Sequence, residues 1–555
     1  MRRFKRFKTG AAIVLALLAV APQTAHAEPA RQAGTAYHVD AQSGNDSASG
    51  LDSAHAWRTL ARVNSTVFQP GDRILLRAGS RWTGQLWPKG SGTSTAPITI
   101  DSYGTGAAPR VDGGGQVADA VRLANQQFWT IRGLEVTNQV PATGTPGQNL
   151  KELRGIHVTG DRGGRLEGFV IDGVHVHDVT GEVNWIGGDT AGNKPGIRFQ
   201  TGWDRSKKTG GIVFDSGVPD LLAPPATPTT LHGITIQNSV IANTSFAGIV
   251  VKQYTGDAPG AVATGWGTRT RADDPKFAPH TNIVIRGNHI SHPNTEYGCN
   301  GMYITDVRHA LIERNVVHRT GTSGIETYFA DDVTIQFNEV SETKQRAGGA
   351  DSNGIDPDKG TTRQVVQYNY THDNGDGILL CQFNFGDVVV RYNVIARNTR
   401  YQIYLHSDPA SRAAVYNNTI YNTRSNHAIY GYGKSLQSTY SITNNVIYST
   451  VANAAITTSP TVRYRNNLYG GATLPVPSDD TSAVRGDPRF TATLGQGTGT
   501  PRTGPRLDLA HALKVRSGSP TIDSGTRIDN PGGRDFAGGP LYQGKPDIGA
   551  FERTL

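Results

Sequence analysis

Four acids in the second half of the chain, Glu326, Asp356, Asp358 and Asp376, have the residue types and spacing of an acid–base site. Carboxylates held within a few ångströms raise one another's pKa, and a pair split into one protonated and one ionised member is what glycosidic cleavage needs. Glu326 and Asp356 each follow an isoleucine, in Gly324-Ile325-Glu326 and Gly354-Ile355-Asp356. Asp358 lies two residues further on, and Asp376 sits in Asn374-Gly375-Asp376-Gly377. Glu326 or Asp356 would serve as the general acid, with Asp376 or the other member of the first pair as base or nucleophile. The grouping of Asp351, Asp356 and Asp358 also suits a hard cation such as Ca²⁺. Lys252, Lys359 or Arg363 would then be the base that takes the C5 proton of a uronate sugar. Serine and cysteine nucleophiles are disfavoured, since neither a Gly-x-Ser-x-Gly elbow on a strand-to-helix turn nor a Cys/His pairing is read in the sequence.

These acids belong to a repeat. The pattern Gly/small-Ile-x-apolar begins at Gly155, Gly211, Gly248, Gly301, Gly324, Gly354, Gly377, Gln402 and Ala428. From Gly301 onward its spacing is that of one turn of a β-solenoid. The second position is always Ile or Met and points inward. The third varies freely (His157, Val213, Val250, Tyr303, Glu326, Asp356, Leu379, Tyr404, Tyr430) and points outward. Glu326 and Asp356 therefore share a column on adjacent rungs, about 4.8 Å apart at Cα, and the four acids are expected to converge on one patch. Lys252, Tyr303, Tyr328, Tyr404, His406, His427, Tyr430 and Tyr432 lie on the same outward columns as candidate sugar contacts. A second ladder, Asn288, Asn315, Asn338, Asn369, Asn393, Asn418, Asn445 and Asn467, marks the tight corner, where asparagine tolerates left-handed backbone and can bond to its copies in neighbouring rungs.

Three stretches exceed one rung, residues 184–210, 217–229 and 254–280. They bring Trp185, Trp203, Tyr254 and Trp266, with Tyr297 on a later connection, to wall a groove and stack on sugar faces. Cys299 and Cys381 fall about three rungs apart, roughly 14 Å, too far for a disulfide, and are expected as free packed thiols. Asp40 and the turn Gly44-Asn45-Asp46-Ser47 to Asp52 could form a separate calcium loop or a set of Asx-turns.

The first 27 residues have a basic stretch with Arg2, Arg3, Lys5, Arg6 and Lys8, an apolar run from Ala11 to Val20, and Ala25-His26-Ala27, the order of a secretory leader. The chain carries 54 Lys and Arg against 46 Asp and Glu. Loss of the five leader cations leaves about +3, which weakens any nucleic-acid reading. No later apolar run is long enough to cross a membrane.

The opening Tyr37-His38-Val39-Asp40, Ala56-Trp57-Arg58-Thr59-Leu60 and Pro70-Gly71-Asp72-Arg73-Ile74 resembles that of secreted members of the pectate-lyase-like β-helix superfamily. The closing Gly518-Ser519-Pro520-Thr521-Ile522-Asp523 and Asp547-Ile548-Gly549-Ala550-Phe551-Glu552 is similar to their usual end. The resemblance implies an all-β right-handed parallel β-helix: residues 28–115 as cap and first rungs, 116–470 as the solenoid, and 471–555 as a C-terminal cap. Ser352-Asn353-Gly354-Ile355-Asp356 with Gly375-Asp376-Gly377 loosely resembles polygalacturonase-like hydrolases, with Asn353 in the place of their acid. Asn353-Gly354-Ile355-Asp356-Pro357-Asp358 is similar to the Tyr-Gly-Phe-Asp-Pro-His of mannuronan epimerases, without the tyrosine and histidine. The leading expectation is a secreted monomeric glycoside hydrolase that needs no cofactor and acts on a polysaccharide or oligosaccharide, without nucleic-acid or membrane partners. The alternatives are a calcium-dependent lyase or epimerase on a uronate polymer, and a non-catalytic glycan-binding surface protein.

Overall fold

The computed structural model describes residues 34–140, 151–180, 208–257, 260–295, 298–346, 349–382, 385–433 and 436–553. The leader over residues 1–27, Trp185, Trp203 and Tyr297 lie outside the described residues. Among the described residues the strands form two long parallel sheets, of 23 and 14 strands, and one short two-stranded pair.

A typical turn runs through Asn300–Glu313, a corner at Arg314 and Asn315, and Val316–His318. The long strand bends at Asp306, which has a left-handed φ of 57°, so each turn presents three faces. The first carries the Gly-Ile-x-apolar pattern. Its inward residues Ile156, Ile212, Ile249, Met302, Ile325, Ile355, Ile378, Ile403 and Ile429 stack in register and are buried, each contributing about 2 kcal/mol of apolar burial.

The asparagine ladder forms as expected. The backbone N–H and Nδ2 of Asn288 both donate to Asn315 Oδ1 at 3.0 Å, and the same two bonds link each rung to the next up to Asn467. Asn467 donates instead to Asp480 Oδ2, at 3.1 and 3.0 Å, so a carboxylate ends the series. One detail differs: the left-handed residue is the one before each asparagine (Gly287, Arg314, Phe337, Tyr368, Tyr392, Asn417, Asn444, Asn466). The chain turns there, which leaves the buried amide aligned with its neighbours.

The acids of the first turn act as backbone caps, as Asx-turns do. Asp40 accepts from Gln42 N and pairs with Arg77, Asp46 accepts from Arg58 N and Thr59 N, and Asp52 accepts from Ala54 N and His55 N. The short helix Leu60–Asn64 puts Leu60 and Val63 into the core beside Trp57 and Phe68.

The C-terminal segment does more than cap. Leu474 joins the core and Asp480 ends the ladder. The chain then returns along the flank, where Leu494, Ala510, Leu513, Phe536, Ala550 and Phe551 cover the outward Tyr370, Val394 and Ala396 of the third face. Gly499 N and Arg506 N donate to the buried Glu339 carboxylate at 3.0 and 2.6 Å, several rungs back from the end. Apolar and aromatic side chains on the outside of those rungs require such a strap.

Candidate active site

The outward columns of the first face assemble much as alternation predicts. Glu326, on the strand Ile325–Gln336, is in register with Asp356 on Asn353–Pro357 and with Tyr303 on the rung before. Asp358 continues the pairing, with its N–H on Thr327 O at 2.9 Å. Pro357 stands between Asp356 and Asp358 and fixes the backbone that spaces them.

Asp356 is buried, and its carboxyl is pushed well above the usual carboxylate range by desolvation and by Asp358, Asp351 and Glu326 around it. Asn353 Nδ2 donates to its Oδ2 at 3.2 Å, while Oδ1 has no hydrogen-bond partner among the described residues. Burial, with Glu326 beside one and Asp358 beside the other, also raises the phenols of Tyr303 and Tyr328. Both remain neutral hydroxyls. Cys381, in line with Asp358, is likewise raised by burial and by the nearby Asp358 and Asp356, and its Sγ lies 3.4 Å from His406 Nδ1. The sequence reading missed this contact because the two residues meet only across rungs. A thiol held neutral is no nucleophile. Cys299 is buried near Thr295, and both cysteines are free.

Asp376 is not among the acids that raise Asp356, but Asp351 acts on both. Asp376 pairs in register with Asn353, whose Nδ2 donates to Asp356, and with Tyr401, which belongs to an aromatic platform. Burial raises its carboxyl to about 7; Arg400, with Nε 3.5 Å away, opposes the rise and Asp351 adds to it. Arg363 is engaged by Asp332 at 2.6 and 2.9 Å. Among the described residues no group of three or more His, Cys, Asp or Glu is placed to hold a metal ion, Asp351, Asp356 and Asp358 included.

On one side of the acids a cavity of about 330 Å³ opens between the sheet and the loop over residues 254–280. Lys252, Tyr303, Tyr328 and Lys359 line it from the rungs, and Thr255 and Thr268 from the loop. Lys252 is buried beside Asp306, whose carboxyl desolvation lifts to about 7 against the pull of that lysine. The loop is held by Arg269, buried and bidentate to Asp331 at 2.9 and 2.7 Å, with a further bond to Gly360 O. Trp266 is turned against Tyr254 with ring centroids 6.0 Å apart and is buried. It anchors the loop and does not line the cavity.

On the other side lies an aromatic platform. Tyr401 stacks on Tyr430 at 4.1 Å and 10°, Tyr404 on His406 at 5.3 Å and 16°, and His427 and Tyr432 meet Tyr430 and His406 edge-on. Sequence reasoning found all of these but Tyr401, which precedes its inward isoleucine by two and so lies outside the outward columns. It also passed over a buried group further up the same face. There His157 contacts Asp119 and Asp215, both at 3.1 Å, with Arg154 and Lys208 adjacent. Burial opposes the imidazolium, but the two carboxylates outweigh it and hold the proton on.

The family model described as "right handed beta helix region" matches residues 300–469. A search of curated proteins found no match. Among solved structures, a GH136 lacto-N-biosidase from Eubacterium ramulus is similar at 20% identity over 73% of this chain and 66% of its own, with a TM-score of 0.58. The present chain thus spans somewhat under two thirds of that protein's length. The pectate lyase Pel9A (14% identity, 95% and 98% covered, TM-score 0.43) and XylC in complex with xylose (12%, 94% and 98%, 0.49) also match. Fold and matched region together define the chain as a right-handed parallel β-helix.

Proposed function

We propose that the protein is a secreted enzyme that hydrolyses glycosidic bonds of a polysaccharide. Asp356 gives its proton to the leaving oxygen, and Glu326 or Asp358 acts as its ionised partner. The observation that supports this reading is the environment of Asp356: a buried carboxyl ringed by three acids retains its proton where an ordinary carboxylate has lost it. Glu326 lies across one rung and Asp358 two residues along the strand, roughly 4.8 and 6.6 Å away at Cα. Tyr303 and Tyr328 supply neutral hydroxyl donors, and the tyrosine and histidine rings supply faces for pyranose stacking. The basic and apolar leader supports export.

A second reading is favoured by Lys252 and Lys359, which line the cavity beside the acids. In it, one of these lysines draws the C5 proton of a uronate while a calcium ion, bound only jointly by the acids and the sugar carboxylate, neutralises that carboxylate. The test is a polysaccharide panel with and without EDTA, following reducing ends together with the ultraviolet absorbance of unsaturated products. Reducing ends that rise without absorbance, survive EDTA and vanish in Asp356→Asn support the hydrolase. Absorbance abolished by EDTA overturns it in favour of the lyase. Unchanged glycan binding without turnover, even after all four acids are replaced, would leave only a binding protein.

A further inference from the structure

Exposure along the outward face is one-sided. Above the acids the outward residues are covered: His157 is 6% exposed, Val213 and Val250 0%, Lys252 2% and Tyr303 1%. Two valines on the outer side of a sheet lie shut away from water. Past Leu379, one rung beyond Asp356, the same columns open: Tyr404, His406 and Tyr430 are half-buried, and Tyr432 is 40% exposed. The column stays buried through Glu326 (8%), Asp356 (1%) and Leu379 (0%) and opens one rung later, at Tyr404; the cavity under the inserted loop, lined by Lys252 and Tyr303, lies on the covered side. Arg269 clamps that loop to Asp331 and Gly360, so the closed end is built into the fold.

From this gradient we infer that the protein works on chain ends: the terminal sugar of a polysaccharide enters the cavity at Lys252, Tyr303, Tyr328 and Lys359, and the rest of the chain leaves across the Tyr404, His406 and Tyr430 platform. This rests on the hydrolase reading for its chemistry, but the geometry of end recognition is separate from it. A cavity of about 330 Å³ is at the small end of ligand pockets; its size suits the tip of a sugar chain. The threonine hydroxyls of the loop and the two lysines suit a hydroxyl-rich tip whose last hydroxyl takes the place of the next linkage. Each turnover adds one water across one bond: the proton from Asp356 goes to the departing glycosidic oxygen, the hydroxyl of water goes to the anomeric carbon, and the remaining water proton passes to the ionised Glu326 or Asp358 and from there restores Asp356. A short product is then released from one end only.

The test has two arms, using xylan, polygalacturonate and galactan and their hexasaccharides. In the first, products of the cleaved polymer are sized at low conversion while viscosity is followed. One short product with viscosity retained is expected. A ladder of fragments with an early fall in viscosity overturns end recognition while leaving the hydrolase reading intact. In the second, Asp356→Asn is titrated calorimetrically with each hexasaccharide, with free ends and with both ends blocked by reduction and methylation. Blocking is expected to weaken binding about tenfold or more, that is about 1.4 kcal/mol. Equal binding of blocked and free chains overturns the inference, whereas end-dependent binding without cleavage of any polymer sustains it and overturns the hydrolase.

Discussion

At the scale of single residues, Asp356 carries the chemistry. Asp356→Asn should lower turnover by about 10²–10⁴-fold, the usual loss for a general acid, with an unchanged circular dichroism spectrum; a variant within a few-fold of wild type would remove Asp356 from that role. Because its carboxyl is held above the ordinary range, the alkaline limb of the rate profile should report its deprotonation, with activity falling as pH rises. Asp376 gives a stability prediction instead. Its folded value of about 7 lies above the ordinary aspartate value of about 3.9, so the unfolded chain ionises first and stability falls as pH climbs through that window, by at most about 1.4 kcal/mol per unit. Thermal melts from pH 4 to 8 should slope less for Asp376→Asn than for wild type, and parallel slopes would count against a buried acid there. Two-residue alternation is enough to bring Glu326 and Asp356 together from sequence. The rule does not place Asp376 or its register partner Tyr401, which stand two residues before an inward isoleucine although Tyr401 stacks on the outward Tyr430. Asn353 and Pro357, which touch or space the acids, carry no periodic signal of their own.

At the scale of strands and loops, the asparagine ladder and the inserted loop make different demands. Asn393→Ala deprives the Asn369 backbone N–H and Nδ2 of their acceptor and leaves the carbonyls of Val366 and Arg391 one donor short. Buried groups left unpaired cost about 1–3 kcal/mol each, so a urea midpoint lowered by several kcal/mol in free energy is expected. A loss below about 1 kcal/mol would show that the ladder is ornamental to stability. Arg269→Ala leaves Asp331 buried with only Arg308 and Thr362. It should cost about 3 kcal/mol, seen first as faster amide exchange in residues 260–280. The ladder was legible because its period is that of the fold. The role of Trp266 was not, because an aromatic that pins a loop and one that faces a groove have the same sequence signature.

At the scale of the whole molecule, the returning C-terminal segment is the part least visible beforehand. It is mostly turns, has no period, and contacts rungs far away in sequence, so only the apolar residues outside the third face, Tyr370, Val394 and Ala396, hinted that something must cover them. Removal of residues 490–555 should expose them together with Tyr368, Tyr392 and Tyr416 and drive self-association, measurable by sedimentation; a monodisperse truncated chain would show the strap to be dispensable. The ladder has a larger implication. Every asparagine in it receives from one side and gives to the other, so each rung is a module with matching ends, and an internal duplication joins without a seam. An added copy beyond Asp480 would meet an oxygen pair with no N–H to pass on. Lengthening by descent or by engineering should therefore occur by copying rungs within the array, each copy extending the open platform by about 4.8 Å and moving the reach for polymer without disturbing the acids.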